Sequence, residues 1–225
     1  MTVANTIVKT KKAIIFDMDG TIVNNTSYHN RARLLFLERH KIQYQPSEEN
    51  NILKLSTKEI VRRYFGTNLT SKEIKTLDDE KQLIYRTIYG ENIREVKGFK
   101  NLLDEAKSKG VKIALSTMGG HENIDLVLNS LKVKSYFDVI ISGDEIPKGK
   151  PHPDIYLKTL AQLNLNPEEA IVFEDTQSGV TAALQANIPV IGVCTSLSTS
   201  EFRSLGVHRS IDNYTDLHNI YNIPA

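Results

Sequence analysis

Two aspartates separated by one residue follow an apolar run near the start of the chain, and their side chains could do chemistry. Residues 13–16 are all apolar, which predicts a buried strand, and Asp17 and Asp19 follow before Gly20 and Thr21. In an open parallel sheet, ligands bind in the crevice beyond the carboxyl ends of the strands. Two carboxylates this close repel each other unless a cation or a proton separates them. The spacing indicates a charged site, although solvated turn acids would also explain Asp-x-Asp alone.

Polar side chains also follow later predicted strands. Thr117 follows the second strand, and Lys150 lies in a loop after the third. Glu174 and Asp175 come at the end of the fourth strand. Because the carboxyl ends of parallel strands lie along one edge of a sheet, we expect these carboxylates, a hydroxyl and an ammonium group in a shared crevice.

Such a set of side chains suits phosphoryl transfer assisted by Mg²⁺. This ion is held by one or two carboxylates, keeps waters and accepts phosphate oxygens, and it offsets the repulsion between Asp17 and a phosphate dianion. Lys150 and Thr117 add donors for the charge on the transferring oxygens. A carboxylate that attacks phosphorus forms an aspartyl-phosphate, and Asp19 can protonate the leaving oxygen and later deprotonate water.

The segments that must position these side chains alternate between apolar runs and helix-sized periodic stretches, which predicts βαβ units and a parallel sheet with helices on both faces. The predicted strands after the first are 111–115, 138–142, 170–173 and 188–193. The predicted helices are 99–109, 122–131, 153–163, 180–186 and a closing helix over 213–221.

The segment after the first strand is different, because residues 26–95 show no strand pattern. Two capping boxes, at Ser56 with Glu59 and at Thr70 with Glu73, predict helix starts there. We therefore predict an α/β fold in which a Rossmann-like parallel sheet carries a small helical cap inserted after the first strand. The expected core comprises residues 1–24 and 96–225, and the expected cap comprises residues 25–95.

The amino-acid composition and net charge restrict the classes of function that this protein could have. The chain of 225 residues is 40% hydrophobic and 24% charged, as is typical of soluble globular proteins. A net charge of +1 without a basic patch argues against nucleic acid and anionic membranes as partners. Residues 1–12 lack a signal-peptide pattern, no apolar run reaches membrane-spanning length, and Cys194 is the single cysteine. We expect a cytoplasmic protein, a monomer or weak dimer, that acts on small molecules.

Four motifs together resemble those of the haloacid dehalogenase (HAD) superfamily of phosphotransferases. They lie at residues 17–21, 116–117, 150–151 and 174–179, and their order and spacing agree over nearly the whole chain. The position of the insertion resembles the cap of the β-phosphoglucomutase-like branch, as does the Lys-Pro-His-Pro-Asp-Ile-Tyr segment that ends at Tyr156.

The resemblance implies the roles of the acidic residues. Asp17 is expected to be the nucleophile and Asp19 the general acid and base. Asp17, the Asp19 carbonyl and Asp175 are expected to hold Mg²⁺, with Glu174 bound directly or through water. Because the dehalogenases and phosphonoacetaldehyde hydrolases of this superfamily lack an acid at the position of Asp19, phosphate-ester chemistry is favoured over C–halogen and C–P cleavage.

The resemblance also implies which groups bind the phosphoryl group. Thr117 and Lys150 are expected to bind it and to serve catalysis, with Gly20 beside them. Gly119 and Gly120 stand where the resembling mutases present a serine and a lysine, so two donors for a second phosphate are missing.

In the cap, the resemblance implies that His29, Lys58 and Lys81 bind substrate. His29 matches a histidine near the hinge, but a half-buried helix histidine is an equally good interpretation. Lys58 stands where the resembling mutases carry an arginine that binds the far phosphate. An arginine can donate two parallel hydrogen bonds to a phosphate, whereas a lysine provides only a point charge. Leu55 stands where a small residue is expected and would crowd a sugar.

These observations predict a Mg²⁺-dependent phosphatase that hydrolyses a small phosphorylated metabolite, such as a sugar phosphate, through an aspartyl-phosphate. The first alternative is a β-phosphoglucomutase-type phosphosugar mutase, which Leu55, Lys58 and the two glycines disfavour. The second is a phosphate-binding regulatory module without activity, which would need a missing motif residue. The residues leave the physiological substrate open.

Overall fold

Six parallel strands form one sheet in the computed structural model, which describes residues 11–53 and 55–217. The strand order is β3-β2-β1-β4-β5-β6. The strands are β1 (Ala13–Phe16), β2 (Lys112–Thr117), β3 (Val139–Ser142), β4 (Ala170–Glu174), β5 (Val190–Val193) and β6 (Ser210–Ile211). The predicted α/β class with a parallel sheet is therefore confirmed, although the short β6 was not predicted.

Nine α-helices accompany the strands within the described ranges. They are α1 (Thr26–Arg39), α2 (Glu49–Ile52), α3 (Thr57–Phe65), α4 (Ser71–Tyr89), α5 (Phe99–Ser108), α6 (His121–Ser130), α7 (Asp154–Leu163), α8 (Gln177–Gln185) and α9 (Thr199–Ser204). No helix of the described part is both long and apolar enough to cross a membrane.

The chain divides into a core unit, Met1–Asn24 with Ile93–Ala225, and a helical unit, Asn25–Asn92. The second segment of the core unit begins at Ile93, three residues before the boundary that the sequence predicted. It begins there because the backbone of this segment pairs with residues just after β1. Glu95 forms an antiparallel bridge with Val23, and the Val96 amide donates to the Ile22 carbonyl at 2.7 Å.

The register of the sheet brings three polar residues to the same level. Phe16 of β1 lies opposite Leu115 of β2 on one side and Phe173 of β4 on the other. The residues that follow, which are Asp17, Ser116 and Glu174, therefore emerge side by side at the carboxyl edge. The central strand β1 is fully buried, as expected of a parallel strand covered on both faces.

An aromatic cluster supports this edge from one face of the sheet. The ring of Phe16 lies 5.1 Å from Phe99 and 5.3 Å from Phe173 between centroids, and Tyr214 packs against all three. Burying each such side chain contributes about 1.5–3 kcal/mol, so the base of the carboxyl edge is rigidly packed.

The helical unit is built as its capping boxes predicted. Ser56 accepts the Glu59 amide at 3.3 Å while the Glu59 carboxylate accepts the Ser56 amide at 2.7 Å, and Thr70 and Glu73 repeat the arrangement. The apolar centre of the unit is one cluster, and the side chain of Leu55 packs against it. The buried members of this cluster are Phe36, Leu37, Ile52 and Ile60.

Several predicted element boundaries differ from those of the structure. β2 continues to Thr117, which is therefore the last residue of the strand. Helix α8 begins at Gln177, earlier than expected, because the Thr176 side chain accepts the Gly179 amide as an N-cap. The predicted closing helix is wrong over Tyr214–Leu217, which form a 3-10 helix, and its remainder at 218–221 lies outside the described residues.

Candidate active site

The carboxyl edge of the sheet collects acidic side chains that are largely shielded from solvent. Asp17 is 7% exposed, and Glu174 and Asp175 are each 1% exposed. Asp19 is half-buried, two residues beyond Asp17. Burying carboxylates costs free energy unless charge or hydrogen bonds compensate them, so what each one contacts decides its use.

Lys150 connects two of these acids. Its ammonium group donates to Asp17 Oδ1 and to Glu174 Oε1, both at 2.7 Å, and to the Ser116 carbonyl at 3.1 Å. Its side chain is only 5% exposed. Although burial acts to lower it, the charges of Asp17 and Glu174 raise the pKa of Lys150 well above its ordinary value. Lys150 therefore stays protonated between the two carboxylates.

Glu174 is held through both of its oxygens. Oε1 accepts from Lys150 at 2.7 Å and from the Tyr156 hydroxyl at 3.2 Å. Oε2 accepts the amides of Asp175 and Thr176 at 2.9 and 3.0 Å, and the Thr176 hydroxyl at 3.0 Å. These bonds fix the carboxylate at the start of α8, where it holds Lys150 in place.

Tyr156 completes the surroundings of Lys150. The ammonium group lies 5.1 Å from the centre of the Tyr156 ring, a cation–π distance. Burial, followed by the charge of Glu174, raises the pKa of the Tyr156 hydroxyl well above its ordinary value. This hydroxyl is therefore a donor to Glu174 and not a proton source for a substrate.

Asp175 is aimed at the turn after β1. The Thr21 hydroxyl donates to its Oδ1 at 3.3 Å, and the Ser196 hydroxyl donates to its Oδ2. Gly20 has φ +85°, and a β-carbon there would overlap with the Asp175 carboxylate. The glycine is thus required twice, by its backbone conformation and by the close approach of the acid.

Thr117 ends β2 at the same edge and is 1% exposed. Its hydroxyl oxygen accepts the Gly119 amide at 3.0 Å, so the hydroxyl proton stays available to a ligand. The preceding carbonyl, that of Ser116, accepts from Lys150. The Ser116 hydroxyl is turned to the other side, 2.6 Å from the Thr159 hydroxyl, and so takes a structural role.

The pKa values show an excess of negative charge. Burial raises the pKa of Asp17 well above its ordinary value, and the charges of Glu174, Asp175 and Asp19 add to this, while Lys150 opposes it. Burial, and then the charge of Glu174, raises the pKa of Asp175 to about 7. The ammonium group of Lys150 therefore compensates these buried acids only in part.

A divalent cation would offset this excess of negative charge. Carboxylate and carbonyl oxygens are ligands that Mg²⁺ prefers, and this ion needs only one or two carboxylates because it keeps waters. Asp17 and Asp175 are the buried acids that the site leaves undercompensated. Within the described residues, no three His, Cys, Asp or Glu side chains are grouped to hold a metal by themselves. This agrees with the engagement of both Glu174 oxygens elsewhere.

The three predicted substrate residues of the helical unit differ in exposure. Lys58 is exposed on the first turn of α3, whereas Lys81 of α4 is buried. Lys81 Nζ lies 3.2 Å from His29 Nδ1, and the His29 ring stacks on Tyr85 with a centroid distance of 3.9 Å. His29 and Lys81 thus form a pair within the helical unit.

Two further residues of the site, Thr195 and Ser196, which lie just after β5, were not predicted from the sequence. The Thr195 hydroxyl donates to the Gly20 carbonyl and the Ser196 hydroxyl to Asp175. The pattern that identified the other site residues also applies to Thr195 and Ser196, because both are polar residues that follow an apolar strand.

Comparison with known proteins agrees with this geometry. Residues 14–193 match the family described as haloacid dehalogenase-like hydrolase. A phosphorylated carbohydrates phosphatase from Thermotoga maritima is 33% identical over 192 residues, which cover 83% of this chain and 87% of that protein. The β-phosphoglucomutase of Bacillus subtilis is 29% identical over 189 residues, covering 81% and 83% of the two chains.

A solved structure shows the same architecture. The crystal structure of a HAD hydrolase, family IA, variant 3, from Entamoeba histolytica has a TM-score of 0.84 to this chain at 26% identity. The match covers 92% of this chain and 96% of that one.

Proposed function

Because this chain belongs to the haloacid dehalogenase-like hydrolases, we propose that it is a phosphatase that hydrolyses a small phosphorylated metabolite. The relative from Thermotoga maritima, named a phosphorylated carbohydrates phosphatase, supports a sugar phosphate as substrate. The observation that carries the proposal is the shared contact of Lys150 with Asp17 and Glu174, each at 2.7 Å. It fixes an acid and an ammonium group at the edge where a phosphate would bind.

Asp17 is the proposed nucleophile. One of its oxygens is bound by Lys150, which holds the carboxylate in a single orientation and stabilises its ionised form. The other oxygen is left for attack on phosphorus, giving an aspartyl-phosphate. The Thr117 hydroxyl donates to the phosphoryl oxygens, where charge develops during transfer. The three protons of the Lys150 ammonium group already have acceptors, so Lys150 exchanges one of these hydrogen bonds for a phosphoryl oxygen when substrate binds.

Asp19 is the proposed general acid and base. It is half-buried two residues beyond Asp17, so its carboxyl group is accessible to a leaving group with which it can exchange protons. We propose that it protonates the leaving oxygen and later takes a proton from the water that hydrolyses the aspartyl-phosphate.

Asp17, Asp175 and the Asp19 carbonyl are proposed to hold Mg²⁺, with Glu174 acting through water. When bound, the ion supplies positive charge that offsets the repulsion between the carboxylates and a phosphate. Gly20 allows Asp175 to reach this position, and Ser196 orients its carboxylate. His29, Lys58 and Lys81 remain proposed contacts to the rest of the substrate.

The test is phosphate release from an aryl phosphate with Mg²⁺ present, measured for the wild type and for Asp17→Asn. The variant keeps the shape of the side chain but removes the nucleophile, so turnover should fall by at least about a thousandfold. Unchanged turnover in Asp17→Asn would overturn the proposal. A matched control is Asp79→Asn, which removes an acid exposed on α4 and should leave turnover as it was.

The mutase alternative is tested with glucose 1-phosphate and a bisphosphate activator. We expect phosphate release to exceed isomerisation, since Gly119 and Gly120 provide no side-chain donors for a second phosphate. Isomerisation faster than phosphate release would identify a mutase instead. A panel of phosphate esters with no turnover, together with tight phosphate binding, would identify a regulatory module.

A further inference from the structure

One wall of the crevice has no donor side chains. Beyond Thr117 this wall consists of Met118, Gly119 and Gly120, and Met118 is 44% exposed. The segment lies beside the first acidic motif, because a β-carbon on Gly119 would be 3.1 Å from the side chain of Met18. Neither a thioether nor a glycine can donate a side-chain hydrogen bond to an anion. The wall therefore suits an uncharged part of a ligand.

The end of this wall is the N-terminus of α6, which Gly120 precedes without a side-chain cap. Such a helix terminus ordinarily favours an anion. Here a carboxylate of the chain already occupies it, because the His121 amide donates to Asp144 Oδ2 at 3.4 Å. A β-carbon on Gly120 would lie 3.0 Å from the same oxygen.

Asp144 is held close to the phosphoryl-binding residues. Thr117 lies opposite Ser142 in the β2–β3 register, and Asp144 follows Ser142 by two residues. The Ser142 hydroxyl donates to the Gly119 carbonyl at 2.9 Å, and the Asp144 amide donates to the Ser142 hydroxyl oxygen at 3.2 Å. These bonds fix the loop on the wall that begins at Thr117.

Asp144 accepts a backbone amide at the start of α6, but it forms no ion pair with a side chain of residues 11–53 or 55–217. In the part of the chain that the structure describes, the acid beside it, Glu145, pairs with Lys158 at 2.8 Å, whereas no lysine or arginine pairs with Asp144. The α6 end of the crevice thus carries a negative charge that a second anionic group would have to approach.

We infer that Asp144 excludes a second phosphate from this end of the crevice, so that the substrate is a monophosphate whose remainder is uncharged there. This inference rests on the proposed phosphatase function and names its substrate class. Asp144 is a specificity-determining residue in this assignment, since it disfavours bisphosphates without contacting the reacting phosphate.

The experiment compares two unreactive ligands, propylphosphonate and the propane bisphosphonate that carries a phosphonate at each end of the same three-carbon chain. Their dissociation constants are measured by calorimetry with Mg²⁺ for the wild type, Asp144→Asn and Asp125→Asn. Asp144→Asn keeps an oxygen for the His121 amide but removes the charge. Asp125→Asn is the control, since it removes a charge from the same helix, where Asp125 pairs with Lys134.

We expect Asp144→Asn to bind the bisphosphonate about three- to tenfold more tightly while propylphosphonate binding is unchanged. Asp125→Asn should alter neither constant. An unchanged ratio in Asp144→Asn, or an equal gain for both ligands, would overturn the inference, because the carboxylate would then act only as a helix cap or as a general charge. Aryl phosphate turnover on the same preparations tests the proposed function separately.

Discussion

The carboxylate of Asp175 lies directly against the Cα of Gly20, with no space between them for a β-carbon. The two residues are far apart in the sequence, yet this contact aligns the end of β4 with the turn after β1. The backbone of the turn and the acid must therefore be positioned together.

Gly20→Ala should inactivate the protein. The new methyl group displaces the Asp175 carboxylate, and a displacement of about 1 Å costs about a hundredfold in turnover. The left-handed backbone at φ +85° adds strain of about 1–2 kcal/mol. Phosphate release and urea unfolding measure the two effects.

Gly110→Ala is the matched control. Gly110 also has a positive φ, +69°, but a β-carbon there meets nothing within 4 Å. It should lose about 1–2 kcal/mol of stability with full activity. Equal activity in both variants would show that the Gly20 contact has no role in function.

Lys150→Met should destabilise the folded chain by about 3–5 kcal/mol, because it leaves the buried carboxylates of Asp17 and Glu174 without their cation. The comparison is Lys158→Met, which breaks an ion pair with Glu145 at 2.8 Å that is partly exposed. That change should cost about 1 kcal/mol or less. Urea denaturation of the two variants measures the difference, and equal losses would mean that the buried contacts contribute no more than a surface pair.

Ser196→Ala should weaken Mg²⁺ binding by about tenfold, since groups that orient a metal ligand affect affinity to this extent. The Ser196 hydroxyl acts to lower the pKa of Asp175, which burial and Glu174 raise to about 7. Removing it raises this pKa further, so the deficit should shrink as the pH increases. Ser200→Ala, a nearby exposed change, serves as control, and a deficit independent of pH would contradict the assignment.

Metal binding should stabilise the protein more at alkaline than at acidic pH. The pKa of Asp175 is about 7 in the folded chain, against about 3.9 when unfolded. A raised carboxyl pKa stabilises the fold fully below the unfolded value, and this stabilisation is lost as the pH rises through the folded value. In EDTA, stability should therefore fall towards pH 7 by about 1.4 kcal/mol per pH unit for this proton.

Added Mg²⁺ should reverse that loss, so its effect on Tm should be larger at about pH 8 than at about pH 5.5. Asp175→Asn removes the titrating group and should flatten the dependence. An increase in Tm of the same size at both pH values in the wild type would contradict the assignment of Asp175 as a metal ligand.

The sequence by itself determined the fold class and the edge of the sheet where the chemistry lies. Hydrophobic runs and helical periodicity are local patterns, and parallel strands place their carboxyl ends together, so Asp17, Glu174 and Asp175 could be assigned to one crevice before any contact was known. The helix starts at Ser56 and Thr70 could also be predicted from the sequence, because a capping box depends on residues only three positions apart.

Only the tertiary structure decided how these side chains divide their contacts. Three contacts depend on loops that follow different strands. Lys150 donates to both Asp17 and Glu174, Ser196 orients Asp175, and Asp144 accepts an amide at the start of α6. Such contacts join residues distant in sequence, and no local spacing encodes them. The sequence placed the acids at the edge of the sheet, and the packing of the loops determines which of them is bonded to the ammonium group.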